Sequence, residues 1–474
     1  MPNRYFLTTL GCPKNQVDSE KLAGYLHASG LVPAGEVEEA DLLVVNTCAF
    51  IEAAREESIA TILELADARR PGARLVVTGC LAERYGDELA SALPEVDQVA
   101  GFGVDFAVAR PTGSARVSVP LGLPRRRSGA HQAARARPPG SGGGATAEGA
   151  SRFDLLNLPR PSGRAPWAYV KLAEGCDRSC SFCAIPSVRG KQRSRTLEAV
   201  VAEAESLAVA EVVLVAQDPA SWGRDLGDGR GLVGVLRAVA SRVPRVRVLY
   251  VYPSGLTDAF IDAVCATGVP YFDLSLQHAS RPLLRQMRRW GDRGRFLDRI
   301  EAVRQRAPDA ALRSSFIVGH PGETEEDHDQ LLSFLGEAQL DWAGFFAFSD
   351  EEGTAAHTMS GRVPPQLVAE RLAECSELQD AITARRRLDL VGRRLEVLVD
   401  RTGVARSHRE APEIDGVVAV SDELEVGSLV DVMVTDAVGP DLVAVPVAAT
   451  AGPGAGDRMR PASRAKSRGR GRGD

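Results

Sequence analysis

The chain has 474 residues, 44% of them hydrophobic and 25% charged, which is ordinary globular usage and enough for two or three domains with full cores. No apolar run is long enough for a signal peptide or a membrane span. A secreted disulfide scaffold and a membrane protein are thereby excluded, and the reducing cytoplasm is the expected setting.

The chain opens with three short, β-branched runs, RYFLTTLGC, ADLLVVNTC and ARLVVTGC, each followed by an amphipathic stretch such as DSEKLAGYLHASG or LAERYGDELASAL. The pattern predicts a βαβαβα domain over residues 1–110. All three runs end in a cysteine: Cys12, Cys48 and Cys80. Parallel strands with right-handed crossovers place their carboxyl ends along one edge, so thiols separated by a whole βα unit can meet there. One cysteine at a strand end is a small core hydrophobe. Three at the same structural place point to a three-thiolate cluster site. Residues 111–165, rich in Gly, Pro, Ser and Arg, read as a disordered linker, because such a composition buries too little surface to offset the entropy of ordering.

A longer α/β series follows over residues 166–390. WAYVKLAEGC, VVLVAQD, VRVLYVYP, YFDLSLQH, ALRSSFIVGHPGET and WAGFFAFSDEEGTAA supply six strands with helical patterns between them, which predicts a partial (β/α)6 barrel with its chemistry at the C-terminal strand ends. The first strand runs into EGCDRSCSFCAIP, where Cys176, Cys180 and Cys183 fall within eight residues. A tetrahedral zinc site would need a fourth ligand nearby, and the first histidine after Cys183 is His278. Three thiolates with one position missing suit a [4Fe-4S] cluster whose fourth iron is open. The other strand-end residues are Gln217, Asp218, Tyr252, Gln277, His278 and the turn Gly319-His320-Pro321-Gly322-Glu323-Thr324, whose two glycines would let backbone approach a ligand. His278 and His320 read as hydrogen-bonded strand-end residues, and Cys265 and Cys375 as structural thiols.

Short strands with turns over residues 391–450 predict a small, OB-like β-barrel. Between Val391 and Val447 it carries five arginines against eleven acids, a poor grip for a phosphate backbone and a good one for a basic protein, with Glu413 and Asp415 expected among the gripping acids. The segment 451–474 is a basic tail, read as disordered, with seven Lys/Arg against two Asp from Asp457 onward; it is a candidate tether to RNA or a plain solubilising extension.

The CxxxCxxC of Cys176, Cys180 and Cys183 resembles the radical S-adenosylmethionine signature. With the three upstream cysteines, the barrel and the terminal β-module, nearly the whole chain resembles the methylthiotransferases, which join a cluster-binding domain, a radical-SAM domain and a TRAM domain. LGCPKNQVDSE, VNTCAFIEAAREES, EGCDRSCSFCAIPSVRGKQRSR, AQDPASWGRDL and APEIDG are similar to the branch that modifies an aspartate of small-subunit ribosomal protein twelve at the decoding centre. His320 departs from that pattern, in which an aromatic precedes Pro-Gly-Glu-Thr.

The resemblance implies two [4Fe-4S] clusters, one on Cys176, Cys180 and Cys183 and one on Cys12, Cys48 and Cys80. It implies two S-adenosylmethionine molecules, one cleaved to a radical that removes hydrogen from the aspartate β-carbon and one methylating the transferred sulfur. Gln217, Gln277, Gly319, Pro321, Gly322 and Glu323 are the implied cofactor contacts. A flavodoxin- or ferredoxin-type reductant, docking of the ribosomal protein through the TRAM domain and a ribosomal-RNA contact by the tail are the implied partners. The alternatives are a methylthiotransferase acting on a modified adenosine of transfer RNA, favoured by the arginine-rich linker and tail, and a non-catalytic iron-sulfur scaffold or RNA-binding module.

Overall fold

The computed structural model describes residues 3–106, 153–161, 163–227 and 229–447. The first unit is a parallel sheet of β1 (Arg4–Thr9), β2 (Val32–Pro33), β3 (Leu42–Thr47), β4 (Arg74–Gly79) and β5 (Gln98–Val99), in the order β2-β1-β3-β4-β5. The two edge strands have two residues each, too short to leave an apolar run in the sequence. Side-chain alternation sorts the layers. Leu43, Val45, Leu75 and Val77 pack with Ile62 of helix α2 (Glu52–Ala68) and with Leu81 and Leu89 of α3 (Cys80–Ala92). Val44 and Val76 pack on the other face with Leu22 and Leu26 of α1 (Pro13–Ala28).

Leu155 joins that second core, and Leu156 is also buried. Arg160 pairs with Glu20 of α1 and, at 2.9 Å, with Glu203 of the barrel. The disordered reading of residues 111–165 therefore fails for 153–161, an ordered strap anchored by its two buried leucines and Arg160; residues 111–152 and the basic tail lie outside the described residues. Leu155 packs with Val44 and Val76 of the sheet and the Leu156 carbonyl accepts from Lys21, contacts that the Gly/Arg-rich composition of the neighbouring stretch does not reveal.

The second unit is the expected partial barrel. Strand β6 (Trp167–Lys171) leads into a small hairpin, β7 (Ala173–Glu174) with β8 (Arg193–Ser194), which frames the loop of the cysteine triplet and α4 (Ile185–Val188). Strands β9 (Glu211–Val215), β10 (Arg245–Val248), β11 (Tyr271–Gln277), β12 (Ala311–Val318) and β13 (Trp342–Ala347) follow. Two parallel three-stranded sheets, β10-β9-β6 and β11-β12-β13, are joined by a parallel bridge between Val251 and Leu274. Outward-facing Val212 and Leu214 pack under the surrounding helices, α5 (Leu197–Ser206) to α10 (Glu325–Ala338), while Tyr169, Val213 and Tyr271 share a core inside the barrel. Among the described residues no helix is long and apolar enough to cross a membrane.

Helix α11 (Pro365–Leu388) leads to a closed barrel of β14 (Arg394–Arg401), β15 (Val404–Arg406), β16 (Val418–Ala419), β17 (Leu429–Val438) and β18 (Asp441–Pro446), ordered β14-β15-β16-β18-β17. The connection between β15 and β16 enters the N-terminal end of the large barrel. Ala411 lies in that barrel's inner core, Pro412 accepts a hydrogen bond from Tyr169 at 3.0 Å, and Trp342 donates to the Arg409 carbonyl at 2.7 Å. Buried Glu211 receives Arg245, Arg247 and Arg406, and Glu410 receives Arg387.

This arrangement corrects one expectation. Asp415 is not a surface acid: its side chain is 2% exposed, bridges Arg313 at 3.2 Å and accepts from Tyr271 Oη at 2.5 Å. APEIDG is a plug between domains, and part of the module's acidic excess is consumed inside the protein. Glu413, on the same loop, remains exposed.

Candidate active site

Cys12, Cys48 and Cys80 follow adjacent strands β1, β3 and β4, which the parallel register aligns. Cys12 caps α1 and Cys80 begins α3. The glycines of LGC and TGC have a packing reason. Gly11 has φ +90° and a methyl group there would lie 2.7 Å from Cys48 Cβ; Gly79 has φ +91° and its methyl group would lie 2.5 Å from the Thr47 carbonyl oxygen. Only glycine brings these turns so close to the neighbouring strand end.

Asn15 braces the site, donating to the Leu10 and Thr47 carbonyls at 2.9 Å each, while the Cys80 thiol meets its Oδ1 at 3.9 Å. Burial pushes the Cys48 thiol up to about 11 and also raises Cys80. At Cys12 burial acts in the same direction, but Lys14 and Arg189 outweigh it and the thiol is lowered. Cys12, Cys48 and Cys80 act on one another electrostatically, and the Arg189 cation opposes the effect of burial at all three.

Cys176, Cys180 and Cys183 lie on the loop beyond β6, at the C-terminal end of the large barrel. The loop closes on itself: Cys176 N–H donates to the Gly190 carbonyl at 3.1 Å, and a methyl group on Gly175 (φ +77°) would meet the Lys191 carbonyl oxygen at 2.2 Å. Arg289 donates to Cys180 Sγ at 3.3 Å, and the Arg178 backbone N–H donates to Cys176 Sγ at 3.4 Å. Burial pushes Cys176 up to about 11 and Cys183 up to about 12. Among the described residues no three His, Cys, Asp or Glu converge on one ion. Thiolates that each take a different corner of a cluster have no need to do so.

The other expected cofactor residues divide. Gln217 donates to Glu174 at 2.9 Å, and its Oε1 is buried without a partner. Asp218 accepts from Arg178 at 2.6 Å and keeps Oδ1 unpartnered; both amide atoms of buried Gln192 are also orphaned. Buried polar atoms without partners beside a three-thiol loop fit a polar ligand there. Gln277 ends β11 at φ +74°, at a bulge in the register.

The turn after β12 is different. A methyl group on Gly319 would strike Val368 at 2.5 Å, and one on Gly322 would strike Gln286 at 2.7 Å. Glu323 accepts from the Gly319 N–H at 2.6 Å and from Arg371 at 3.1 Å. The glycines of this turn answer to protein packing, and the Glu323 carboxylate is occupied within the fold. Pro321 offers its carbonyl to His320, whose other ring nitrogen meets Ser181 Oγ at 3.1 Å, so the turn supports the cysteine loop from behind. His278 and His320 are both buried strand-end histidines, as read from the sequence.

Sequence reasoning assigned no role to Arg189 or Asn15, although both stand in motifs it quoted. Arg189, from the loop after the cysteine triplet, donates to Cys80 Sγ at 3.3 Å, to Asn15, to Asp18 at 3.2 Å and to Glu174 at 2.7 Å. Lys171 also joins Asp18 to Glu174. A second clamp holds the same two units: Glu351 pairs with Arg55 at 2.5 Å and Arg84 at 2.7 Å.

Comparison with known proteins is consistent along the chain. Residues 4–101 match the uncharacterized protein family UPF0004, residues 170–335 the Radical SAM superfamily and residues 391–447 the TRAM domain. The ribosomal protein uS12 methylthiotransferase RimO of Streptomyces coelicolor is 42% identical, the match covering 93% of this chain and 96% of that protein. The proteins of the same name from Salinispora arenicola and Koribacter versatilis are 43% and 39% identical, covering 94% of this chain and 95% and 96% of theirs.

Proposed function

The chain belongs to the ribosomal protein uS12 methylthiotransferases, enzymes of the radical S-adenosylmethionine class, and from that membership we propose the following assignment of its parts. Cys176, Cys180 and Cys183 hold a [4Fe-4S] cluster that binds S-adenosylmethionine, and Cys12, Cys48 and Cys80 hold an auxiliary one. Together the bound groups supply a carbon-centred radical, able to take hydrogen from an unactivated carbon, and the sulfur and methyl group to be transferred. The substrate is the β-carbon of an aspartate of uS12, as the relatives' name supports, and a flavodoxin- or ferredoxin-type protein supplies electrons.

The protein's own residues divide the work. Gln217, Asp218 and Gln192 line the cofactor side of the barrel mouth with free polar atoms. Gln277 presents its strained strand end there. Gly319, Pro321, Gly322 and Glu323 act from behind, holding His320 against the cysteine loop. Glu351, through Arg55 and Arg84, and Arg189, through Cys80, fasten the N-terminal domain to the barrel, which supports a shared reaction space for the two thiol sets.

The observation that supports this reading is that Arg189, from the loop of the barrel's cysteine triplet, donates to Cys80 Sγ at the edge of the N-terminal sheet. Mass spectrometry of ribosomal proteins and transfer RNA from a deletion strain tests the substrate. Loss of the methylthio mass from uS12 is expected; loss from transfer RNA alone would transfer the assignment to the RNA-modifying branch.

A further inference from the structure

Each thiol set receives a guanidinium N–H on a sulfur, Arg289 on Cys180 and Arg189 on Cys80, both at 3.3 Å. The two differ in origin. Arg289 and Cys180 belong to the same barrel, whereas Arg189 leaves the barrel's cysteine loop and reaches a thiol of the N-terminal sheet. Its guanidinium is buried, lies over the Phe102 ring at 4.5 Å and is spread over four partners: Cys80, Asn15, Asp18 and Glu174. Three of these are met by the Nη groups, which leaves the Nε–H for the sulfur. Lys171 bridges the other oxygens of the same two carboxylates, Asp18 Oδ1 and Glu174 Oε2, while Asn15 Oδ1 is held by Arg189. The Nε–H is the one group that Arg189 spends on the thiol.

We propose that Arg189 is a positioning residue for the auxiliary cluster: it orients Cys80 and raises the cluster's reduction potential. The inference rests on the assignment of Cys12, Cys48 and Cys80 as ligands. A ligating thiolate keeps lone pairs, so an N–H donor remains compatible with metal binding. A donor hydrogen bond and a fixed positive charge beside a cluster sulfur both favour the more negative, reduced form. Because the donor comes from the radical-site loop, the tuning exists only when the two units are docked.

The test uses full-length protein with Cys176→Ala, Cys180→Ala and Cys183→Ala, reconstituted anaerobically so that only the auxiliary site loads. Removing Arg189 alone would strand buried Asp18, so Arg189→Met is paired with Asp18→Asn, leaving Lys171 to match Glu174; Asp18→Asn alone is the control. In an EPR-monitored redox titration the midpoint potential of the Met variant is expected to move to more negative values than the control, and Arg189→Lys to recover part of the shift. Iron loss in the Met variant with retention in the Lys variant would also support positioning. An unchanged potential at full iron content overturns the proposal, as does loss of iron and thermal stability in both variants, which would mark a purely structural residue. Absence of iron from the parent triple variant would instead refute the ligand assignment.

Discussion

Single residues in this protein carry opposite meanings depending on what the fold places beside them. Asp415 reads as a surface acid but is buried, and burial outweighs Arg313 and the Tyr271 hydroxyl to push its carboxyl up to about 6 from 3.8. The sign of the linkage follows from that direction. A carboxyl raised in the folded state contributes stability that is fully present below the unfolded value and is lost as pH rises through the folded one. Between about pH 4 and 6 the wild type should therefore lose up to about 3 kcal/mol relative to Asp415→Asn, measured by denaturant unfolding at several pH values. Asp415→Lys should unfold the docking of the module, because it sets a buried cation against Arg313. At the thiol edge, Gly79→Ala should cost on the order of 2–4 kcal/mol through positive φ and overlap with Thr47, and should lower the iron bound at the N-terminal site.

At the scale of elements, the strand EVVLV begins with a charge that a buried strand rejects unless it is matched. Glu211 is buried against Arg245 and Arg247 of the next strand and Arg406 of the terminal module, and although burial alone would raise it, the three cations hold its carboxyl well below the usual range. Its stabilising contribution is present above the unfolded carboxyl range and is lost as pH falls. Glu211→Gln leaves three buried guanidinium groups short of an anion. The expected cost is about 3–5 kcal/mol, with release of the terminal module to limited proteolysis while iron content is preserved. The two cysteine-bearing elements separate in another way. Replacing Cys176, Cys180 and Cys183 with Ala should leave about four of about eight irons. Replacing Cys12, Cys48 and Cys80 should spare reductive cleavage of S-adenosylmethionine and abolish methylthiolation.

Across the described residues, the N-terminal sheet, the barrel and the β-module are tied together by buried ion pairs and by an apolar cluster that takes Val17 from α1, Tyr169, Val213 and Tyr271 from the barrel and Ala411 from the module. The clamp at Glu351 is the simplest to open. Glu351→Ala should raise the amount of S-adenosylmethionine cleaved per methylthio group transferred, measured by product ratio, since both thiol sets persist but their spacing is no longer held. One acidic turn that stays exposed on the module carries Asp422, Glu423 and Glu425. Reversing these three to Lys should weaken capture of uS12 most at low salt, with unchanged iron and thermal stability. Unchanged affinity would place the partner's docking site elsewhere.

The sequence by itself determined the local features: three strand-end cysteines, a cysteine triplet after a strand, six barrel strands and a terminal β-barrel all follow from periodicity and spacing, which are properties of neighbouring residues. The two-residue edge strands β2 and β5 carried no such signal. Only the tertiary structure decided which charges are surface groups and which are internal. Asp415 reads as a surface acid, nothing local marks Lys21, Lys171 or Glu211 as internal, and each of the four is buried with a partner far away in sequence that neutralises it. The same reason hid Arg189. Its reach to Cys80, 109 residues away in the chain, exists only once the N-terminal sheet docks on the barrel. Burial of a charge depends on geometry between distant segments, and no local pattern records it.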